Sequence, residues 1–223
     1  MKLPVAELQG LVSAQLQRAG ANAAMAETTA AALVLAESQG IGSHGLSRVA
    51  QYCTHLRNGR VNGAATPQVL QRRGGALVVD AQAGLAFAAC ALAVQEALAA
   101  AASQGVAMAG VVRSHHAGVL VDHLRPVAAA GMVGLAFANS PAAMPAAGGR
   151  HAIFGTNPVA AVFPRRQGDA LMIDLSLSEV ARGRVMVAAQ QGEPIPQGWA
   201  LDADGTPTTD AKAALAGDRK SVV

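Results

Sequence analysis

The sequence predicts an α/β protein, a sheet with flanking helices preceded by a helical part at the amino-terminal end. Three observations carry this reading. Apolar residues recur at helical spacing through the first 60 residues, short β-branched runs then alternate with long Ala-rich segments, and glycines punctuate the boundaries. The 223 residues are 52% hydrophobic but only 3% aromatic, so the core must be built from Ala, Val, Leu and Met. Such small side chains fill a core only where elements pack closely, as helices on a sheet do.

Pro4 to Ala19 places Val5, Leu8, Leu11 and Leu16 near one helical face, and Gly20 stops it. Asn22 to Gln39 is a second, Ala-rich helix stopped at Gly40. A third runs from about Gly45 to Asn58, with Leu46, Val49, Cys53 and Leu56 at helical spacing. Ala76–Asp80 then reads as a strand, Leu85–Ser103 as a helix, Val106–Val112 as a strand and Val119–Ala130 as a helix. Met132–Ala138, Val159–Phe163 and Leu171–Asp174 read as further strands, and Glu179–Gln190 as a helix. Residues 192–207 are rich in Pro and Gly and read as a turn-dense loop.

Composition narrows the function. Seventeen basic residues face fourteen acidic ones, with no block of like charge and no aromatics interleaved, which does not fit a nucleic-acid surface. The amino-terminal segment carries Glu7 and no continuous apolar run, so no secretory signal is expected. The long uncharged run 126–149 is interrupted by Pro141, Pro145 and glycines, so no membrane helix is expected there. Cys53 and Cys90 fit no metal spacing; buried free thiols are expected, in keeping with the cytoplasm. His115, His116 and His123 have no Cys or carboxylate at ligand spacing, so no metal is expected either.

The chemistry concentrates in Glu37-Ser-Gln-Gly-Ile-Gly-Ser-His-Gly-Leu-Ser-Arg48. Its glycines permit a tight backbone path at a helix entry, where amide groups favour an anion. On a helical wheel of about 100° per residue with His44 at zero, Arg48 falls near 40°, Tyr52 near 80° and His55 near 20°. Leu46, Val49, Cys53 and Leu56 fall on a neighbouring apolar face. One helix would thus present an imidazole able to donate a proton, Ser43 to bond it, and a guanidinium able to hold a carboxylate in a two-pronged fork. The same spacing also describes an ordinary amphipathic helix with its polar face in water. Tyr52 stands between packing and substrate contact, and His55 reads as a surface residue.

Five ordered motifs add a resemblance. Ser43-His-Gly45 with Arg48, Tyr52 and Leu56-Arg-Asn-Gly59 is similar to the opening motif of the malate/L-lactate dehydrogenase family. Arg113-Ser-His-His-Ala-Gly118, Asn139 through Gly149, Phe154-Gly-Thr-Asn-Pro158 and Ile173 through Gly183 resemble its later motifs, in the same order. The resemblance implies a mixed sheet of non-Rossmann type, and no G-x-G-x-x-G fingerprint follows any strand here. It also implies NAD or NADP, a homodimer, and a small 2-oxoacid or 2-hydroxyacid substrate such as a malate, lactate or sulfolactate. Cyclic imino acids are the alternative substrates. Ser43 and His44 become the catalytic pair. Arg48, Tyr52 and Thr156 become substrate contacts. His116, Ala117, Gly118, Val119 and Leu120, with Asp174, Leu175 and Ser176, become cofactor contacts. Residues 1–70 would form the helical, substrate-side and dimerisation part, and 71–217 the cofactor-binding α/β domain.

The family resemblance further implies more chain than this one has, so the sequence reads as a fragment, and an inactive paralogue is a rival reading. Asp218-Arg-Lys-Ser-Val-Val223 is similar to translated adapter DNA and is expected to be a non-native tail.

Overall fold

The computed structural model describes residues 3–146, 149–180, 182–217 and 219–220. It has the predicted α/β class with mixed sheets. The chain separates into two compact units. The first runs to Val133 and takes in Pro164–Arg166; the second comprises Gly134–Phe163 and the chain from Gln167 onward.

In the first unit, helices α1 (Val5–Arg18), α2 (Ala23–Ser38) and α3 (Arg48–Arg57) form the helical part. Val12 and Leu16 of α1 join Leu33 and Val34 of α2 and Tyr52, Cys53 and Leu56 of α3 in one core. Val5 and Leu11, expected on the buried face, are exposed instead, because the buried stripe runs through Leu8, Val12 and Leu16. Asn22 caps α2: its side-chain oxygen accepts the Met25 amide at 2.9 Å, satisfying a donor the helix cannot.

Helix α3 starts three residues later than expected. Gly42–His44 instead form a single 3-10 turn, and Gly45 is not helical. Glu37 lies against this turn, and its carboxylate accepts the Leu46 amide at 2.9 Å.

Strands β1 (Gln68–Arg73) and β2 (Ala76–Asp80) pair antiparallel, and β2 pairs parallel with β3 (Met108–Val112) across helix α4 (Ala86–Gln104). Leu77 and Val79 of β2 meet Ala89 and Ala93 of α4 in a second core, where alanines let the helix lie close to the sheet. By length and composition alone α4 could cross a membrane; its packing on β2, β3 and α2 gives its apolar character a place in the core. Strand β1 escaped the sequence reading because it is an exposed edge, Gln-Val-Leu-Gln-Arg-Arg, with a bulge after Val69. The helix expected over 119–130 is broken into a 3-10 turn, Val121–Leu124, and α5 (Arg125–Ala129). Pro126 explains the break: lacking an N–H, it is tolerated only in a first helical turn. Cys53 is a buried free thiol, as read. Cys90 is free but only half-buried, and burial still pushes its thiol up to about 11, which keeps it unreactive.

The second unit holds strands β4 (Gly134–Phe137), β5 (Met144–Pro145), β6 (Ala152–Phe154), β7 (Val159–Phe163) and β8 (Leu171–Leu175). Helix α6 (Arg182–Gln191), strands β9 (Ala200–Leu201) and β10 (Pro207–Thr208), helix α7 (Ala211–Gly217) and strand β11 (Arg219–Lys220) follow. The main sheet has the order β4-β7-β8 and is antiparallel throughout. Its register aligns Leu135 with Ala161 and Ile173, and Phe137 with Val159 and Leu175, so one face is wholly apolar. The other face carries the small residues Ala136, Ala160 and Val162, the last two fully buried. Val180, Val185, Ile195, Ala200, Ala211 and Ala214 make this unit's own core. The loop expected over 192–207 contains β9, a strand too short for a periodic signal. The motifs at 139–149 and 173–183 each include residues outside those described. So does the tail expected at 218–223, of which Arg219–Lys220 pair with β9 as β11.

Two substitutions separate core from surface. Leu33→Ala, at a fully buried position, is expected to cost about 2–5 kcal/mol in a denaturant melt. Phe137→Ser, at a position 71% exposed, should change stability by less than about 0.5 kcal/mol. It should also lower the fluorescence of a dye that binds exposed apolar surface. A large loss of stability in Phe137→Ser would show that this face is covered.

Candidate active site

His44, Arg48, Tyr52, Asp80 and the paired histidines all belong to the first unit. The parallel strands β2 and β3 end side by side, and the loop leaving the carboxyl end of β3 carries the paired histidines. The loops after both strands are strained: Gln82 (φ 51°), Ala83 (φ 60°) and Arg113 (φ 52°) all adopt left-handed backbone. Asp80, 2% exposed, holds the strain in place. Its Oδ1 accepts the Gln82 amide at 2.8 Å and Arg113 Nε at 2.9 Å, and Arg113 Nη2 closes the second prong. The Ala83 amide donates to the Arg113 carbonyl at 2.7 Å, and the His115 amide to the Gly84 carbonyl at 3.0 Å. The chain is thereby turned so that His115 and His116 meet helix α3. The Arg113 guanidinium and the Gln82 amide hold the Asp80 carboxyl below the usual carboxylate range.

The other half of the site is the 3-10 turn. Gly45 fits closely there: a Cβ on it would lie 2.2 Å from Glu37 Oε2, which would have to move, and 3.1 Å from the Glu37 backbone. Ser47 Oγ donates to the Gly42 carbonyl at 2.6 Å and closes the turn. Ser43 Oγ lies 3.0 Å from His44 Nδ1 and fixes the ring from one side. Arg48, first residue of α3, donates Nε to the Ser43 carbonyl at 2.7 Å and Nη1 to Gln51 Oε1 at 2.9 Å. Both bonds stiffen the guanidinium, and its Nη2 has no partner among the described residues.

His44 and His116 stack, with ring centroids 5.5 Å apart and planes at 25°. His116 Nδ1 receives the Tyr52 hydroxyl at 2.6 Å and the Gly118 amide at 3.2 Å. Burial pushes His116 down to about 3, helped by Arg48 and by the imidazoles of His44 and His115. It is neutral at any ordinary pH. Tyr52 is fully buried, with its ring 6.3 Å from that of Phe87; burial raises its phenol, against the pull of Arg48. The Tyr52 ring packs in the core of the first unit.

His55, read from sequence as a surface residue, is half-buried and bonded to His115: Nδ1 lies 2.9 Å from His115 Nε2. Burial, then His55 and Arg60, push His115 down to about 4. Its Nδ1 is buried without a partner. Ala117 accepts His123 Nε2 at 2.7 Å through its carbonyl. Gly118 needs its positive φ of 71°, and a Cβ there would meet the Phe87 ring at 2.8 Å. Val119 is half-buried and Leu120 buried. Among the described residues no group of three His, Cys, Asp or Glu is arranged to hold a metal ion.

Thr156, Asp174, Leu175 and Ser176 belong to the second unit. There Thr156 is held by Ser140, whose Oγ accepts the Thr156 amide at 2.8 Å and lies 3.1 Å from its Oγ1. The Thr156 carbonyl accepts the Leu177 amide at 2.8 Å, which ties this loop to the chain leaving β8. Asp174, Leu175 and Ser176 are exposed, and Ser176 Oγ bonds Ser178.

Sequence reasoning missed the supporting groups: Glu37, Gln51, Asp80, Arg113, Ser140 and the His55–His115 pair. Only Asp80 left a signal, as a carboxylate ending an apolar strand. Gln51 acts three residues from Arg48, but the rest act at separations of nine to 60 residues, beyond any local pattern.

The spacing G-x-G-x-x-G does occur, at Gly40 to Gly45, but it follows helix α2 and not a strand, so it is no dinucleotide fingerprint. The architecture is therefore a mixed α/β fold of non-Rossmann type. The chain belongs to the malate/L-lactate dehydrogenase family, whose pattern it matches over residues 3–222. It is 46% identical over 211 residues to a (2R)-3-sulfolactate dehydrogenase (NADP(+)) of Chromohalobacter salexigens, covering 95% of this chain and 63% of that protein. It is 39% identical over 217 residues to a Delta(1)-pyrroline-2-carboxylate/Delta(1)-piperideine-2-carboxylate reductase of Pseudomonas putida, covering 97% of this chain and 64% of that one. The crystal structure of delta1-piperideine-2-carboxylate reductase from Pseudomonas syringae pvar. tomato superposes with a TM-score of 0.95 at 33% identity, covering 100% of this chain and 66% of the other. This chain thus spans just under two thirds of its relatives' length.

The Asp80 clamp makes a pH prediction. Its folded pKa is depressed, so the stabilisation is full above the unfolded carboxylate value of about 3.9 and is lost as pH falls through the lower folded value. Asp80→Asn should melt below the wild type at neutral pH, and the gap should close in acid. A gap that stays constant with pH would remove the charge from the explanation.

Proposed function

We propose that this chain carries the catalytic residues of an NAD(P)-dependent oxidoreductase that interconverts a 2-oxoacid and a 2-hydroxyacid of malate, lactate or sulfolactate type. The observation that carries the reading is His44, bonded to Ser43 on one side and stacked on His116 on the other, in the turn that leads into α3 at Arg48. The likeness to a named sulfolactate dehydrogenase supports it.

The residues fit a dinucleotide on one further point. His116 has its Nδ1 occupied, so its proton lies on Nε2, and Nε2 has no partner among the described residues. That leaves one fixed donor for an amide or hydroxyl oxygen of a cofactor. Residues His116 to Leu120, with Asp174 to Ser176, would hold it. When bound, a nicotinamide supplies hydride to C2; the protein supplies orientation and charge. His44 enters the reducing direction with both ring nitrogens protonated. It gives the Nε2 proton to the carbonyl oxygen as that oxygen becomes an alkoxide, while Nδ1–H stays on Ser43 Oγ. Arg48 offers its free terminal edge to the substrate carboxylate, and Thr156 would contribute a further substrate-side contact. In this scheme residues 1–70 serve the substrate side and 71–217 the cofactor. The free thiols favour the cytoplasm, and a homodimer is the proposed assembly.

A second reading, reduction of cyclic imino acids, is favoured by the 39% identity to a named pyrroline/piperideine-carboxylate reductase. The two share a physical demand. Each substrate carries a carboxylate on the carbon that gains hydride, and each needs a proton at the adjacent heteroatom. His44 and Arg48 would serve either, so only turnover separates them. Oxaloacetate, pyruvate and sulfopyruvate assayed beside pyrroline- and piperideine-2-carboxylate should show faster reduction of the oxoacids; the reverse order selects the second reading.

His44→Ala should lower kcat by roughly 10²–10⁴-fold. Arg48→Leu should mainly raise KM for carboxylate substrates. Full turnover in His44→Ala, or no binding of NADH or NADPH by calorimetry, overturns the proposal.

A further inference from the structure

We infer that Tyr52 is a positioning residue, whose hydroxyl fixes His116 in the one tautomer that makes it a hydrogen-bond donor beside His44. The argument starts from Gly118. Its amide points at His116 Nδ1 from 3.2 Å, and an N–H can only donate. Nδ1 is therefore an acceptor and carries no proton. The Tyr52 hydroxyl, 2.6 Å from the same nitrogen, must then donate as well. Two donors converge on one lone pair, and the ring proton is confined to Nε2.

Geometry leaves the phenol no other use. Tyr52 is fully buried among Phe87, His115 and His116, and its hydroxyl's only hydrogen bond among the described residues is to His116. Its burial makes the hydroxyl hard to ionise, so it remains a donor. A phenol at this position does what a phenylalanine of nearly equal size could not. Without it, Nδ1 would keep only the longer amide contact, and the imidazole could exchange tautomers or turn over. His116 would then present an acceptor where the proposed reaction calls for a donor, next to the ring that delivers the proton.

The link to catalysis rests on the function proposed above; the tautomer itself does not, and the test separates the two. Long-range proton–nitrogen spectra of the ¹⁵N-histidine-labelled chain, with His116→Asn used to assign the signal, read the protonated nitrogen directly. The wild type should show a single Nε2–H form of His116 that does not titrate from mildly acidic to mildly alkaline pH. Tyr52→Phe should show averaged or Nδ1–H signals while retaining its helical circular dichroism. A wild-type Nδ1–H form, or an unchanged His116 pattern in folded Tyr52→Phe, overturns the inference. Should Tyr52→Phe not fold, the wild-type spectrum decides alone: a single Nε2–H form keeps the inference and an Nδ1–H form overturns it. Where turnover is measurable, Tyr52→Phe should lower kcat by at least the factor by which the Nε2–H population falls. A fixed tautomer with no turnover in any assay would retain the inference and remove the oxidoreductase.

Discussion

The lone pair on His116 Nδ1 is the point on which the candidate site depends. It joins helix α3, through Tyr52, to the loop after β3, through Gly118. The hydroxyl alone would permit either direction of bond, but the amide can only donate. Together they fix which edge of the ring carries a proton and which face lies against His44. Burial then keeps the ring neutral, so the stacked partner of His44 brings no second positive charge beside Arg48.

That arrangement needs backbone shapes that unconstrained chain avoids. Three non-glycine residues at positive φ flank the histidine pair's loop, and each costs of order 1–3 kcal/mol. The Asp80 carboxylate offsets the cost by satisfying the Gln82 amide and gripping Arg113 from a nearly solvent-free position. On the other side, Gly45 lets the Ser43–His44 turn ride against α2, where any side chain would strike Glu37. Strain on one loop and absence of a side chain on the other are two solutions to one problem, bringing imidazoles from distant segments into stacking distance.

What could be read from the sequence follows from the range of the forces involved. Helices α1, α2 and α4 and strands β2 and β7 were legible because their periodicity and caps are local. The start of α3 was not, because the turn before it packs against Glu37, nine residues before Leu46 in the chain. Strand β1 was not, because an exposed polar edge has no alternating pattern to show. Within the site, Ser43, His44 and Arg48 stood out through their shared motif. His55 was misplaced on the surface because its partner, His115, lies 60 residues further on, and nothing near either residue announces the other.

The second unit's sheet shows the same logic at the level of pattern. Strands covered on one face alternate apolar and polar residues, whereas strands covered on both read as continuous apolar runs. Val159-Ala-Ala-Val-Phe163 and Gly134-Leu-Ala-Phe137 are continuous runs. Yet Leu135, Phe137 and Leu175 are 60%, 71% and 60% exposed on one face, while Ala160 and Val162 are sealed on the other. The large side chains stand outside and the small ones inside, the reverse of what burying most apolar area on a single face would select. The composition of these strands is thus that of a sheet in contact on both sides.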